Sequence, residues 1–426
     1  MNDARRPIRF CYLGMLVIAL VANLMPLLFI PLRTAFGFSF EQLGRLTLIN
    51  FCMQLVCILL GGPLVDRFGA RRFAVLGNAF AVVGLWLFAG ADRLLFPGNP
   101  YAGMALGAFV FSIGAALLEL VLSPIVNAIP SERKAADMSL LHGFYAVGQI
   151  VTVLLTSLAI WLHAPWRVAV LCWSLLPLIT AAGFLRTRIP PLVTSGPRQR
   201  VRGLLRNRIY LALLAGIFLA GAIEMAVSQW ISAFAEKGLG LPKLLGDLGG
   251  CCLFGAMLGA GRIWMGLRPS TSLARALPTC CSIALASYFV AGAAPWPWVS
   301  LAACAVAGLG VSLLWPGMLS LAARHFPRGG ASMFAALSAA GTLGCAVAPW
   351  LLGVLADAIR TNAATPGVLI RIGLHMEPEP FGLRAGLLAA TLFPVALLAL
   401  LRWINRQPPN PEAGDARRTV VSAAQS

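Results

Sequence analysis

The sequence predicts an all-α polytopic membrane protein with twelve spanning helices, and three observations carry that expectation. Of its 426 residues, 59% are hydrophobic and only 11% are charged, less than half the charged share of about 25% in soluble domains. Mean hydropathy is +0.83 over the whole chain, so apolar runs fill the sequence instead of forming one anchor. At about 20 residues per crossing, this length holds roughly 12 helices with short connections. The same apolar content excludes disorder.

The apolar runs fall at roughly 10–32, 41–62, 73–91, 101–130, 138–162 and 165–185, then at roughly 208–235, 245–267, 274–294, 297–323, 330–357 and 381–404. All are expected to be helices, because a lipid-facing backbone must satisfy its own hydrogen bonds and no barrel-like alternation is visible. Arg5, Arg6 and Arg9 precede the first run without a small-residue cleavage site, so it reads as a retained helix. The organisation is six helices, a linker and six more: an N-terminal unit over 1–185, a basic linker over 186–207, a C-terminal unit over 208–407 and a disordered tail over 408–426.

The net charge of +18 does not indicate nucleic acid, because the basic residues sit in short breaks between apolar runs and form no soluble basic face. Topology accounts for them. With the N-terminus inside, alternate breaks place 24 Lys and Arg on the cytoplasmic side, Arg262 among them, and 9 outside. This bias puts both termini in the cytoplasm. The ten cysteines lie almost entirely within apolar runs, only four histidines are present, and no metal-ligand spacing occurs. No metal or cofactor is expected, and the cysteines read as small packing residues.

One motif stands between the second and third runs: Gly62-Pro-Leu64-Val-Asp66-Arg67-Phe-Gly69-Ala-Arg71-Arg72. Glycines let helix ends approach, and an aspartate beside arginines can exchange partners as two bodies move. The segment resembles the G-x-L-x-D-R-x-G-x-R-R signature of the major facilitator superfamily, at the place where that family carries it. The resemblance implies two pseudo-symmetric six-helix bundles with a substrate cavity between them near the midplane, and a conformational latch at Gly62, Asp66, Arg67, Gly69, Arg71 and Arg72. Weaker echoes follow at Gly259-Ala-Gly261-Arg262 and at Gly353-Val-Leu355-Ala-Asp357.

Two acidic residues fall near the middle of apolar runs, Glu119 and Glu224. An ionised carboxylate there costs about 2.5–3.5 kcal/mol on insertion scales, so both are expected to face a polar cavity and to carry proton coupling. Candidate substrate contacts are Asn23, Asn50 with Gln54 four residues on, His142, Tyr145 and Gln149 on one face of the fifth helix, Gln229, Trp230, and Trp315 before Pro316. Amides, carboxylates and aromatic faces together suit a sugar-like ligand. Trp161, Trp166, Trp296 and Trp298, near helix ends, read as an interfacial belt.

Short segments further resemble the fucose-permease-like sugar branch of the superfamily: Glu119 through Ser123-Pro124, Leu141-His142-Gly143-Phe144-Tyr145, and Gly221-Ala-Ile-Glu224 followed by Trp230. That branch pairs a first-helix aspartate with the fourth-helix glutamate. Here Asn23-Leu-Met-Pro-Leu27 holds no acid, which leaves Glu119 to couple protons alone or with Glu224. The fifth helix lacks the glycine-proline pair of drug/proton antiporters.

The resemblance implies a secondary transporter in the cytoplasmic (inner) membrane of a bacterium. Its partners are a small polar solute, protons and the lipid bilayer, and it works as a monomer. The competing expectations are an exporter of amphipathic compounds and a non-transporting sensor or scaffold on the same fold. No phosphate-binding loop and no catalytic constellation at usable spacing argue for an enzyme.

Overall fold

The computed structural model describes residues 6–129, 134–189, 201–267, 272–326, 330–371 and 375–407. Half of the expected linker, residues 190–200, and all of the expected tail at 408–426 lie outside the described residues. No strand occurs among the described residues. Among the described residues, twelve helices are long and apolar enough to cross a membrane: α1 (Arg6–Phe36), α2 (Phe40–Gly61), α3 (Ala70–Ala89), α4 (Pro100–Ala128), α5 (Leu140–Trp161), α6 (Trp166–Leu185), α7 (Arg208–Gly238), α8 (Lys243–Met265), α9 (Leu273–Ala293), α10 (Pro297–His325), α11 (Met333–Thr361) and α12 (Pro378–Asn405).

Local chemistry sets the ends. Ser39 and Gln42 form a reciprocal capping box at the start of α2, satisfying two N–H groups that the helix itself leaves open. Asn99 accepts from Ala102 N–H ahead of α4, with Pro100 in the first turn. Asn207 caps α7 in the same way. The helical chain of α2 continues to Phe68 and turns into α3 through Gly69, whose φ of 86° is unfavourable for any residue with a Cβ. This explains one glycine of the signature directly.

The packing repeats when six is added to each helix number. In the first half α1 packs on α4 and α5, α2 on α4, and α3 on α4 and α6; in the second, α7 packs on α10 and α11, α8 on α10, and α9 on α10 and α12. Contacts between halves obey the same rule, with α2 against α11, α5 against α8, and α1 against α7. The structure is therefore two pseudo-symmetric six-helix bundles, as the sequence leads one to expect.

At the end formed by the C-terminus of α1 and the start of α2, polar bonds tie the halves together. Arg33 pairs with Glu379, Glu41 N–H donates to Asp357 Oδ2 at 2.5 Å, Trp350 Nε1 donates to Glu41 Oε1 at 2.9 Å, and Ser157 Oγ donates to Asp247 Oδ2 at 2.6 Å. Small residues permit the close approach. A Cβ on Gly353 would stand 2.4 Å from Phe40 O, and one on Gly44 would stand 3.0 Å from Trp350 Cα.

Candidate functional site

Below this sealed end lies a cavity of about 640 Å3 between the halves, within the ~300–1,000 Å3 common for small-ligand sites. Its walls come from α1 (Met15, Ile18, Ala22), α2 (Phe51, Gln54, Ile58), α4 (Glu119) and α5 (His142, Tyr145), and symmetrically from α7 (Glu224, Met225), α8 (Arg262, Met265), α10 (Leu313, Trp315, Pro316, Leu319) and α11 (Ser338, Thr342, Cys345). Among the described residues, helices α3, α6, α9 and α12 supply no wall residue; they support the others from outside.

The two glutamates differ in surroundings. Glu119 lies deep along α4 yet is solvent-exposed through the cavity, and it has no hydrogen-bond or ion-pair partner among the described residues. Glu224 is 8% exposed, and its Oε1 stands 3.4 Å from Arg262 Nη2. Arg262 also donates from Nε to Ser312 O at 3.3 Å, so α8 bridges α7 and α10 at the cavity wall. The exposure along α5 grades from His142, exposed, to Gln149, buried. The cavity therefore widens away from the sealed end.

Six of the sequence candidates meet in this space: Gln54, Glu119, His142, Tyr145, Glu224 and Trp315. Others lie behind the walls. Asn50 is fully buried, and its Oδ1 accepts from Gln54 Nε2 at 3.0 Å and from Ser112 Oγ at 2.6 Å, which locks α2 to α4. Asn23 donates to Ala19 O at 2.8 Å within its own helix. Gln149 is buried and packs on α8 at Gly255. Gln229 reaches across the seam to donate to Ala22 O at 3.2 Å. Trp230 is 2% exposed, donates to Pro349 O at 2.9 Å and packs against Phe29 and Phe40. It seals the closed end and lies outside the cavity lining.

Arg262 is the residue that sequence reasoning missed as a site. Counted there as a boundary charge, it turns its guanidinium inward instead. The signal was available: a buried glutamate needs a counter-ion, and Arg262 lies on the neighbouring helix at the end of a long apolar run. The latch residues also divide. Arg71 donates to Phe184 O at 3.1 Å and to Leu185 O, capping α6 within its own half. Arg67 lies over the Phe68 ring at 5.3 Å, and Arg72 is exposed. Gly62 and Asp66 belong to the extended α2 helix, and the Asp66 side chain lies outside the described residues.

Among the described residues, no group of three or more His, Cys, Asp or Glu could hold a metal ion. The arrangement can admit a solute and hold it between carboxylates, an arginine and aromatic faces.

The pattern of the Major Facilitator Superfamily matches residues 10–349. The chain belongs to the major facilitator superfamily. It is 24% identical over 355 residues to the membrane protein MosC of Rhizobium meliloti, covering 83% of each chain. Among solved structures it is similar to an inward-facing, unoccupied bacterial homologue of the human lysosomal transporter Spinster, with a TM-score of 0.79 and 15% identity over 95% of this chain and 97% of that one. It is also similar to the D-xylose-proton symporter (TM-score 0.71, 14% identity, 92% and 97% covered). The outward conformation of FucP gives a TM-score of 0.61 at 17% identity, with 94% and 99% covered. At these identities the solved structures show a shared fold. As a superfamily member with this fold, the protein is an integral membrane transporter.

Proposed function

We propose that the protein is a secondary active transporter that carries a small polar solute, a sugar or sugar-like metabolite, by alternating access and proton symport. One observation carries this reading: Glu119 and Glu224 open into a single cavity between the halves, and that cavity is closed at one end by bonds that join the halves. Carboxylates in the apolar span are costly unless water or a proton reaches them, and a one-ended cavity gives such access from one side at a time. Glu119, without a hydrogen-bond or ion-pair partner among the described residues, is the proton carrier; the Glu224–Arg262 pair orients the solute with Gln54, His142, Tyr145 and Trp315. The proposed orientation follows the basic-residue bias, with both termini cytoplasmic in a bacterial inner membrane, so the cavity faces inward. The proposed unit is a monomer with halves at 1–185 and 208–407.

The walls also favour a second reading. Met15, Ile18, Phe51, Ile58, Met225, Met265, Leu313 and Leu319 make much of the lining apolar, which suits an exporter of amphipathic compounds. Vesicles containing the purified protein and a trapped pH indicator separate the two. Hexoses, pentoses and nucleosides are offered one at a time, followed by hydrophobic dyes. Acidification driven by a hydroxylated solute supports the symporter. Dye movement against a proton gradient, with no response to any of the hydroxylated solutes, replaces it with the exporter.

A further inference from the structure

The pentapeptide Gly353-Val-Leu355-Ala-Asp357 repeats the G-x-L-x-D start of the signature at 62–66, and its aspartate supplies one of the bonds that close the sealed end. Helices α2 and α11 run antiparallel: Phe40 meets Gly353, Gly44 meets Pro349 and Trp350, and Phe51 meets Cys345 and Ala346. The two copies therefore stand at opposite ends of one helix pair, each at the C-terminal end of its own helix and level with the N-terminal end of the other.

At the sealed end the second copy is engaged. The first turn of α2 has N–H groups with no acceptor in its own helix. Ser39 satisfies Gln42 N–H and leaves Glu41 N–H open. Asp357, 9% exposed and on the other half, accepts that proton at 2.5 Å. Its other oxygen faces Arg360 Nε at 3.2 Å. Two turns earlier, Trp350 holds the Glu41 side chain, which also pairs with Arg45 at 2.7 Å. Gly353 lets the backbones touch at Phe40 O. A carboxylate at a helix N-terminus is favoured by the helix dipole as well as by the bond.

We infer that Asp357 is a latch between the halves: by capping α2 from α11 it holds the sealed end shut, and it must let go for that end to open. This rests on the alternating-access reading. A mere fold contact would stabilise α2 locally, whereas a latch shifts the balance between the two ends of the molecule.

Hydrogen exchange of the full chain in lipid nanodiscs distinguishes these. In Asp357→Ala, exchange over residues 40–46 is expected to rise about fivefold, the ratio a cap of ordinary strength supports, while exchange over 58–66 and 334–340 falls as the opposite end closes. Asp357→Asn, which keeps a neutral acceptor, is expected to lie between wild type and alanine. Should the alanine variant fail to fold, Trp350→Phe, which removes only the neighbouring indole bond, must move both ends in the same opposed directions. Faster exchange at 40–46 with no protection gained at the other end, or no change at either, overturns the latch. The carrier reading survives that result, because solute flux tests it separately.

Discussion

Arg262 stands 3.4 Å from Glu224 across the cavity wall, while Glu119, exposed to the same cavity, has no such partner among the described residues. This asymmetry underlies the different work proposed for two carboxylates that the sequence alone cannot tell apart. Replacing Arg262 by Gln leaves Glu224 without its cation, and solute flux is expected to fall about tenfold or more, equivalent to roughly 1.4 kcal/mol. Arg262→Lys should recover part of it. A double-mutant cycle with Glu224→Gln, read by thermal unfolding in detergent, should give a coupling of about 1 kcal/mol. The value stays low because the guanidinium is 35% exposed and screened.

Trp230 and Trp315 give opposite expectations. Trp230→Phe removes a buried bond to Pro349 O and should cost about 1–3 kcal/mol of stability, with solute affinity unchanged among molecules that remain folded. Trp315→Phe changes the cavity wall and should alter solute affinity with little effect on melting. Paired melting and binding curves for both variants check this; a change of solute preference in Trp230→Phe contradicts the sealing role.

Gly344 tests the tightness of the second bundle. A Cβ there would stand 2.0 Å from Phe218 O, a backbone atom that cannot swing aside. Gly344→Ala should force α7 and α11 apart and destabilise by about 1–3 kcal/mol, seen as a lower melting temperature. An unchanged melting temperature contradicts the close approach.

Much of this was legible in the sequence, for physical reasons that differ by residue. Helix number and class follow from hydropathy, because lipid leaves the backbone no alternative. The signature's glycines read as close approach between helix ends, whereas Gly69 serves a turn at positive φ. The glutamates announced a cavity through their cost. What stayed hidden was direction: Asn50, Gln149 and Gln229 have the composition of ligand contacts, but each turns toward a neighbouring helix. Spacing places a residue on a face without saying whether that face meets a cavity or a helix. Arg262 was hidden for the complementary reason, since a basic residue near a helix end reads as topology until its side chain is seen to turn inward.

Asp92, in the connection between α3 and α4, pairs with Arg167 of α6. The hydrogen bond to that guanidinium holds its carboxyl below the usual carboxylate range. A depressed folded-state pKa gives stability that is present above the ordinary carboxylate value, about 3.9, and lost as pH falls through the lower folded value. Asp92→Asn should therefore melt below wild type at pH 7, and the difference should vanish well below pH 3.9. Melting curves across that range check the sign. A difference that persists in acid contradicts it.

Glu119→Gln in vesicles bears most directly on the central claim, that a carboxylate reached through a one-ended cavity couples solute to protons. With a solute that acidifies wild-type vesicles, the variant is expected to lose uphill accumulation under a proton gradient while exchanging labelled for unlabelled solute at a measurable rate. Accumulation equal to wild type would remove Glu119 from the coupling and with it the proposed mechanism.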